Sequence, residues 1–506
     1  MSTYRYILPP PVAPRYSPVE IYLQRPPLRD ANPFLVGRLS GEFIAPDGRR
    51  IAVQGFCDRA DGSLFRLRFL LEQEGDYTYS LAFADHEGSA QAEGTVRCVP
   101  SALAGPVRVD IDHPYHLLRA DGSRLFLLSK TAWRLAVAPD PFTFIDQAAA
   151  RGFTCLRLAL EADAADDPRG EDVWPWGGAR PLPDLTRFAV RFWQRLEAIV
   201  EHAARRQVLI APVIFTRQRR QPPAPIPDPE MERYWEYLLA RLAPYANIVA
   251  WELFHEHAAD EPYQAYMASY LRAHDPYRHL ITTSWPTAEG AAWPHAPWID
   301  LVMIHLAASS DSARHGLDAY YRRAALAVHR YGKPAWCGQS GRERVDGNDD
   351  PVYRRKQAWV WAVSGNYWNY HSWGGCEGIA TPIWGPGEEF FLPLRVFWEK
   401  YTRWWEMQPD EETILSHPGC DFAYSLTSSR EVVVYLVNER AGAATPAGCL
   451  ALRCSPGEYQ SAFYHPASGH TQPLADVIHV ADEPVLLATP SFVDDLIVHL
   501  RRAADG

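Results

Sequence analysis

The stretch NIVAWELFHEH, residues 247–257, is an apolar run that ends in four ionisable groups: Glu252, His255, Glu256 and His257. Carboxyl and imidazole groups gathered at the end of a buried segment can donate, accept and hold protons, which is general acid–base chemistry. A solvated loop tip would carry the same residue types. Strand alternation separates the groups. In an extended chain Glu252, Phe254 and Glu256 share one face, and in residues 153–161 Arg157, Ala159 and Glu161 share one face. A buried Glu252 needs a counter-charge, and Arg157 is the natural partner. Glu256 lies about 13 Å further along, at roughly 3.3 Å per residue, where a substrate can reach it.

The elements that must position these groups are read from periodicity. Short apolar runs at 125–129, 153–160, 207–215, 247–254, 279–284, 298–306, 333–338 and 365–371 alternate with amphipathic segments such as MERYWEYLLARLAPY, where apolar residues recur every three or four positions. Eight such runs predict an α/β fold of the (β/α)8 TIM-barrel type. A doubly wound sheet fits less well, because no glycine-rich phosphate loop follows the first run. Shorter alternating strands precede and follow this region. The expected domains are therefore an N-terminal β-sandwich (1–105), a barrel (106–405) and a C-terminal β-sandwich (406–506). In a barrel, active groups sit at the C-terminal ends of the strands. That rule selects Lys130, Glu161, Glu256, Trp285, His305, Gln339 and His371.

Composition narrows the partners. The net charge is −11, which disfavours nucleic acid and anionic membranes, since both need a basic face. No apolar run reaches the roughly 18 residues of a membrane helix. The eight cysteines form no C-x-x-C pair, and several lie in apolar runs, so a reduced, cytoplasmic protein is expected. HEH at 255–257 is not the helical H-E-x-x-H, and the first run lacks the H-x-H of metal-dependent barrel hydrolases, so no metal and no cofactor are expected. His255, His257, His305 and His371 are read instead as ordinary hydrogen-bonding groups toward a bound ligand or Glu256. The 18 tryptophans and 25 tyrosines suit large cores, and some suit sugar stacking. Trp133, Trp174, Trp176, Trp285, Trp368 and Trp373 fall near loop ends.

WELFHE resembles the W-E-L-x-N-E fourth-strand motif of retaining (β/α)8 glycosidases. RLFLLSKTAWRLA and YWNYHSWGG, with the two flanking β-domains, resemble apiosidase-like glycoside hydrolases. These carry an N-terminal sandwich of unknown function and a C-terminal sandwich of collagen-binding type. The resemblance implies a carbohydrate substrate and two carboxylates about 5–5.5 Å apart. It makes Glu256 the acid/base and places Tyr367, Asn369, His371 and Trp373 in the cleft, with Trp133, Arg157, His255, Trp285 and His305 around the sugar.

The sequence departs from that pattern. The nucleophile position, in WCGQSG, is Gln339, and an amide cannot attack as a carboxylate does. Three explanations stand open: a deliberate Glu→Gln replacement, a natural loss of hydrolysis that leaves a carbohydrate-binding protein, or a second carboxylate elsewhere. Candidates for the last are Glu161, Glu343 and Glu377. The first strand reads SKTAW where the family has G-D-T-A-W, so Lys130 replaces an acid, and His255 replaces an Asn. These changes suggest an anionic ligand anchored by Lys130. An architectural protein is a third reading, and a homo-oligomer is compatible with the sequence.

Overall fold

The computed structural model describes residues 4–29, 31–161, 174–178, 183–216, 225–256, 260–285, 290–306, 316–340, 350–371, 384–474, 477–481 and 483–503. Among these described residues a single eight-stranded parallel sheet forms the centre. Its strands are β1 (Leu128–Thr131), β2 (Cys155–Ala159), β3 (Leu209–Phe215), β4 (Ala250–Phe254), β5 (Leu280–Thr282), β6 (Val302–Leu306), β7 (Ala335–Ser340) and β8 (Tyr367–Tyr370). Each pairs with its sequence neighbours except at β5 and β6, and β8 pairs back onto β1. The seam between β5 and β6 is bridged by Asp300 N–H donating to Ile281 O (2.9 Å) and His305 N–H donating to Trp285 O (2.8 Å). The ring is a TIM barrel, and each strand falls within or one to two residues beyond an apolar run.

These strands are buried on both faces, which is why they read as continuous apolar runs rather than alternating ones. Helices such as Val190–Arg205 and Pro229–Leu242 cover the outside, the first burying Phe192 and Trp193 and the second Tyr234, Trp235 and Tyr237. The pairing register fixes which side chains face the lumen. Thr131 aligns with Arg157, Arg157 with Ala211, and Val213 with Glu252, so Arg157 and Glu252 project into the same interior. The floor is closed by an antiparallel sheet of Val107–Val109, Leu117–Arg119 and Arg124–Leu125.

Two β-rich units flank the barrel. At the N-terminus a four-stranded sheet faces a five-stranded sheet, and Phe43 stacks on Phe69 across the gap at 3.9 Å. At the C-terminus a seven-stranded antiparallel sheet, centred on Glu431–Val437 and Asp495–Arg502, packs on smaller sheets. Buried ion pairs lock both units to the barrel. Arg241, on the helix Pro229–Leu242, reaches Asp58 (2.7 Å) and Glu197 (2.5 Å), while Arg68 reaches Glu197 at 2.9 Å. On the other side Arg355 grips Asp495 through two hydrogen bonds of 3.0 and 2.7 Å.

Candidate active site

Arg157 and Glu252 form the base of the site. Arg157 Nε and Nη2 each donate to one Glu252 oxygen at 2.6 Å, and both residues are fully buried. The parity argument predicted this pair. Removing two charges from water is costly, and a two-point pair in a closed lumen offsets that cost. Arg157 Nη2 also lies 3.1 Å from His255 Nδ1, and the Trp133 ring centre is 4.6 Å from that of His255.

Above this base the chain leaves β4 abruptly. Glu256 takes a left-handed backbone, φ +50°, which costs a non-glycine residue about 1 kcal/mol or more and recurs at functional sites. Its N–H donates to Ser284 Oγ (2.9 Å), which holds the turn. The Glu256 side chain then reaches across the lumen, and its Oε1 lies 2.9 Å from His305 Nδ1. Its other oxygen, Oε2, is 3.7 Å from His255 Nε2, beyond hydrogen-bond reach. Burial, reinforced by the Arg157 charge, holds the pKa values of His255 and His305 well below the usual imidazole range, so both rings are neutral near pH 7.

Gln339 joins this group through the sheet. A bulge between Ile304 and His305 sets His305 opposite Gln339, so the two project to the same face. Gly338 makes the close fit feasible: a Cβ there would stand 2.5 Å from Met303 Sδ and 3.1 Å from His305 Nε2. Gln339 Oε1, His305 Nε2 and Arg157 Nη1 are buried without a hydrogen-bond partner among the described residues. Unsatisfied buried polar atoms are rare in proteins and mark places where a ligand or water is bound.

The other predicted residues divide. Glu161 ends β2 nearly buried, with Thr216 N–H at 3.4 Å from its carboxylate. Trp285, partly exposed, ends β5 beside His305. His371 is buried at the end of β8, and its charge would act on His255 and His305. Asn369 lies inside the barrel, but its amide donates to Thr131 Oγ1 (2.7 Å) and Gly338 O (2.8 Å), so it ties strands together. Trp373, His257, Glu343 and Glu377 lie outside the described residues.

Two expectations are corrected. Lys130 does not line the lumen. It sits between the inward positions Ser129 and Thr131, so it points out to the helix layer, and its Nζ pairs with Glu388 at 2.6 Å over the Tyr370 ring. With no exposed surface and its charge matched, it cannot anchor an anionic ligand. Tyr367 is also displaced from the cleft. It begins β8, at the floor, where its hydroxyl accepts from Leu117 N–H at 2.9 Å. Of the tryptophans, Trp176 packs on Tyr234 at 4.8 Å and Trp368 on Trp361 at 6.2 Å, both buried. Glu388 and Ser284 were not foreseen. Ser284 could have been, since it ends the fifth apolar run.

Glu252, His255 and His305 also offer three ligand atoms within 4.8 Å of one another. A cation there would meet Arg157, which already binds both Glu252 oxygens and contacts His255. The set is a hydrogen-bonded cluster around a guanidinium, and it does not fit a metal.

Residues 112–334, which span the barrel from its floor to the start of β7, match the family model of the apiosidase-like catalytic domain. The barrel is similar to an apiosidase-like catalytic domain. Residues 12–84, ahead of that domain, match a domain of unknown function, DUF5060. The fold of the whole chain is shared with a candidate glycoside hydrolase from Bacteroides vulgatus ATCC 8482, at TM-score 0.75 and 18% identity, covering 97% of this chain and 100% of that one. A glycoside hydrolase family 5 structure from the same organism aligns with TM-score 0.60 and 15% identity, over 79% of this chain and 95% of that one. No curated protein sequence matches the chain. The apiosidase-like barrel thus presents its Glu256–His305 pair at the strand ends where such folds hold their active groups.

Proposed function

We propose that this protein hydrolyses a glycosidic bond at the C-terminal rim of the barrel, with Glu256 donating a proton to the leaving oxygen. The observation that carries this reading is the Glu256–His305 contact. It fixes Oε1, while the Glu256 side chain as a whole stays 31% exposed. A neutral His305 can either donate to Oε1 or accept its proton, so it orients the carboxyl in both protonation states. The unsatisfied atoms of Gln339, His305 and Arg157 supply donors and acceptors for sugar hydroxyls.

Gln339 cannot form a glycosyl ester, and Glu252 is held at both oxygens by Arg157. Among the described residues Glu161 is the remaining carboxylate at a neighbouring strand end, and we assign it the second role, activating water. Because Lys130 faces the helices, the rim carries no assigned preference for acidic sugars. The free thiols fit a reducing, cytoplasmic setting. Among the described residues no helix is long and apolar enough to cross a membrane.

A panel of aryl glycosides and oligosaccharides tests the proposal: turnover by the natural protein and its loss in Glu256→Gln and Glu161→Gln support it. A second reading, a sugar-binding protein without turnover, is favoured by the amide at 339. It predicts binding without cleavage across the panel, and no gain in Gln339→Glu.

A further inference from the structure

A second cavity lies at the opposite end of the barrel. A groove of about 830 Å³ runs where the barrel floor, the N-terminal sandwich and the segment after β8 meet. That size falls within the roughly 300–1,000 Å³ of small-ligand sites. Thr154, Gln207 and Asn247, which precede β2, β3 and β4, face it from the barrel, and the partly exposed Trp405 faces it from the C-terminal side.

Most charges of the groove are paired, and Glu20, which lines it, is held by Arg68 at 2.5 Å. Arg124 is paired with Asp110, and Arg395 donates to Glu399 at 2.7 Å. Glu201 accepts from the Tyr245 hydroxyl at 2.8 Å. Arg119 makes no side-chain hydrogen bond and no ion pair among the described residues. Its half-buried guanidinium has its pKa lowered, mainly by burial, against the opposing pull of the Asp121 and Glu399 carboxylates. Arg205 has only a long 3.5 Å contact with His202. Among the described residues two guanidiniums outside any ion pair therefore share one groove with the Glu201 carboxylate, which is also outside any ion pair, and the deeper one, Arg119, is partly stripped of water. A guanidinium so placed gains most from a planar, two-oxygen anion. The remaining walls, with Ser123, Gln207 and Trp405, mix hydroxyl, amide and aromatic surface, which suits a hydroxyl-rich ring better than an apolar ligand.

We infer that this floor groove is a second carbohydrate site, which takes a short saccharide bearing a carboxylate and pairs that carboxylate with Arg119. The choice of a saccharide rests on the glycosidase reading; the choice of an anion rests on the groove alone. Bound there, an acidic chain would be held on the face away from the Glu256 rim, and the barrel would contact one polymer at two places.

Calorimetric titration of the full chain with digalacturonate and with its dimethyl ester tests the site. The expected result is binding of the acid at least about tenfold tighter than the ester, a typical margin for one charge-assisted contact. Arg119→Ala should lose that margin and Arg119→Lys recover part of it. Arg205→Glu, at an exposed position that leaves the fold intact, should weaken the acid by several-fold. Turnover of neutral aryl glycosides should be unchanged in all three variants, so loss of this site and loss of rim chemistry read out separately. Equal affinity for acid and ester, or equal affinity in the natural protein and in both Arg119→Ala and Arg205→Glu, would overturn the inference.

Discussion

His305 Nδ1 stands 2.9 Å from Glu256 Oε1, and the same residue is the cross-strand partner of Gln339. One buried, neutral imidazole thus touches the carboxyl of β4 and neighbours the amide of β7. The arrangement comes with a bulge in β6/β7, a glycine at 338 and a left-handed backbone at Glu256.

Because position 339 is an amide, no covalent sugar ester can form there. Incubation with a 2-deoxy-2-fluoro glycosyl fluoride followed by peptide mapping should find residue 339 unlabelled in the natural protein. In Gln339→Glu the label should appear at that position. A label on 339 in the natural protein would remove the assignment of Glu161.

The Arg157–Glu252 pair is expected to dominate the stability of the lumen. Removing one partner, in Arg157→Ala or Glu252→Ala, strands a buried charge and should cost about 3–5 kcal/mol. Replacing both by apolar residues should cost less than either single change. Denaturant midpoints read both outcomes, and strictly additive losses would show that the pair is not a unit.

Acid should loosen the seam between the N-terminal sandwich and the barrel. Burial opposes ionisation of Glu197, but Arg241 and Arg68 overcome it and bring its pKa from 4.5 to about 2. A carboxyl depressed on folding adds stability above its unfolded pKa, and that stability is lost as pH falls through the folded one. The window is therefore pH 4.5 down to about 2, and the amount is on the order of 3 kcal/mol. Glu197→Gln should be less stable at pH 7 and should show a flatter stability profile across that window. An unchanged profile would argue against the seam.

Lys130→Met should lower the melting temperature, because it leaves Glu388 buried without its cation. It should leave the relative binding of neutral and acidic sugars as it was. A selective loss of acidic sugars would restore Lys130 as an anchor.

The contrast between Arg157 and Lys130 shows what was legible in the sequence. Both sit in runs buried on two faces, where polarity does not alternate. For Arg157 and Glu252 the opposite charges on two runs fixed the inward face of each. For Lys130 the first run held no second charge, since Glu388 lies 258 residues away, so its outward direction was hidden. The ring of eight strands was legible because apolar length and helix spacing survive without knowledge of faces. The Glu256 turn was legible only in part. His305 was expected at the rim and near Glu256, but the left-handed φ that brings them together leaves no mark on residue types. The floor groove left none either, because it is built where three separate parts of the chain meet.

The most direct test of the account is a leaving-group series: kcat/KM for aryl glycosides of rising phenol pKa, compared between the natural protein and Glu256→Gln. Proton donation matters most for poor leaving groups and contributes about 10²–10⁴-fold. The account predicts a loss of that size for phenyl or alkyl glycosides in Glu256→Gln and a small loss for dinitrophenyl glycosides. Measurable turnover with the same leaving-group dependence in both proteins would contradict it.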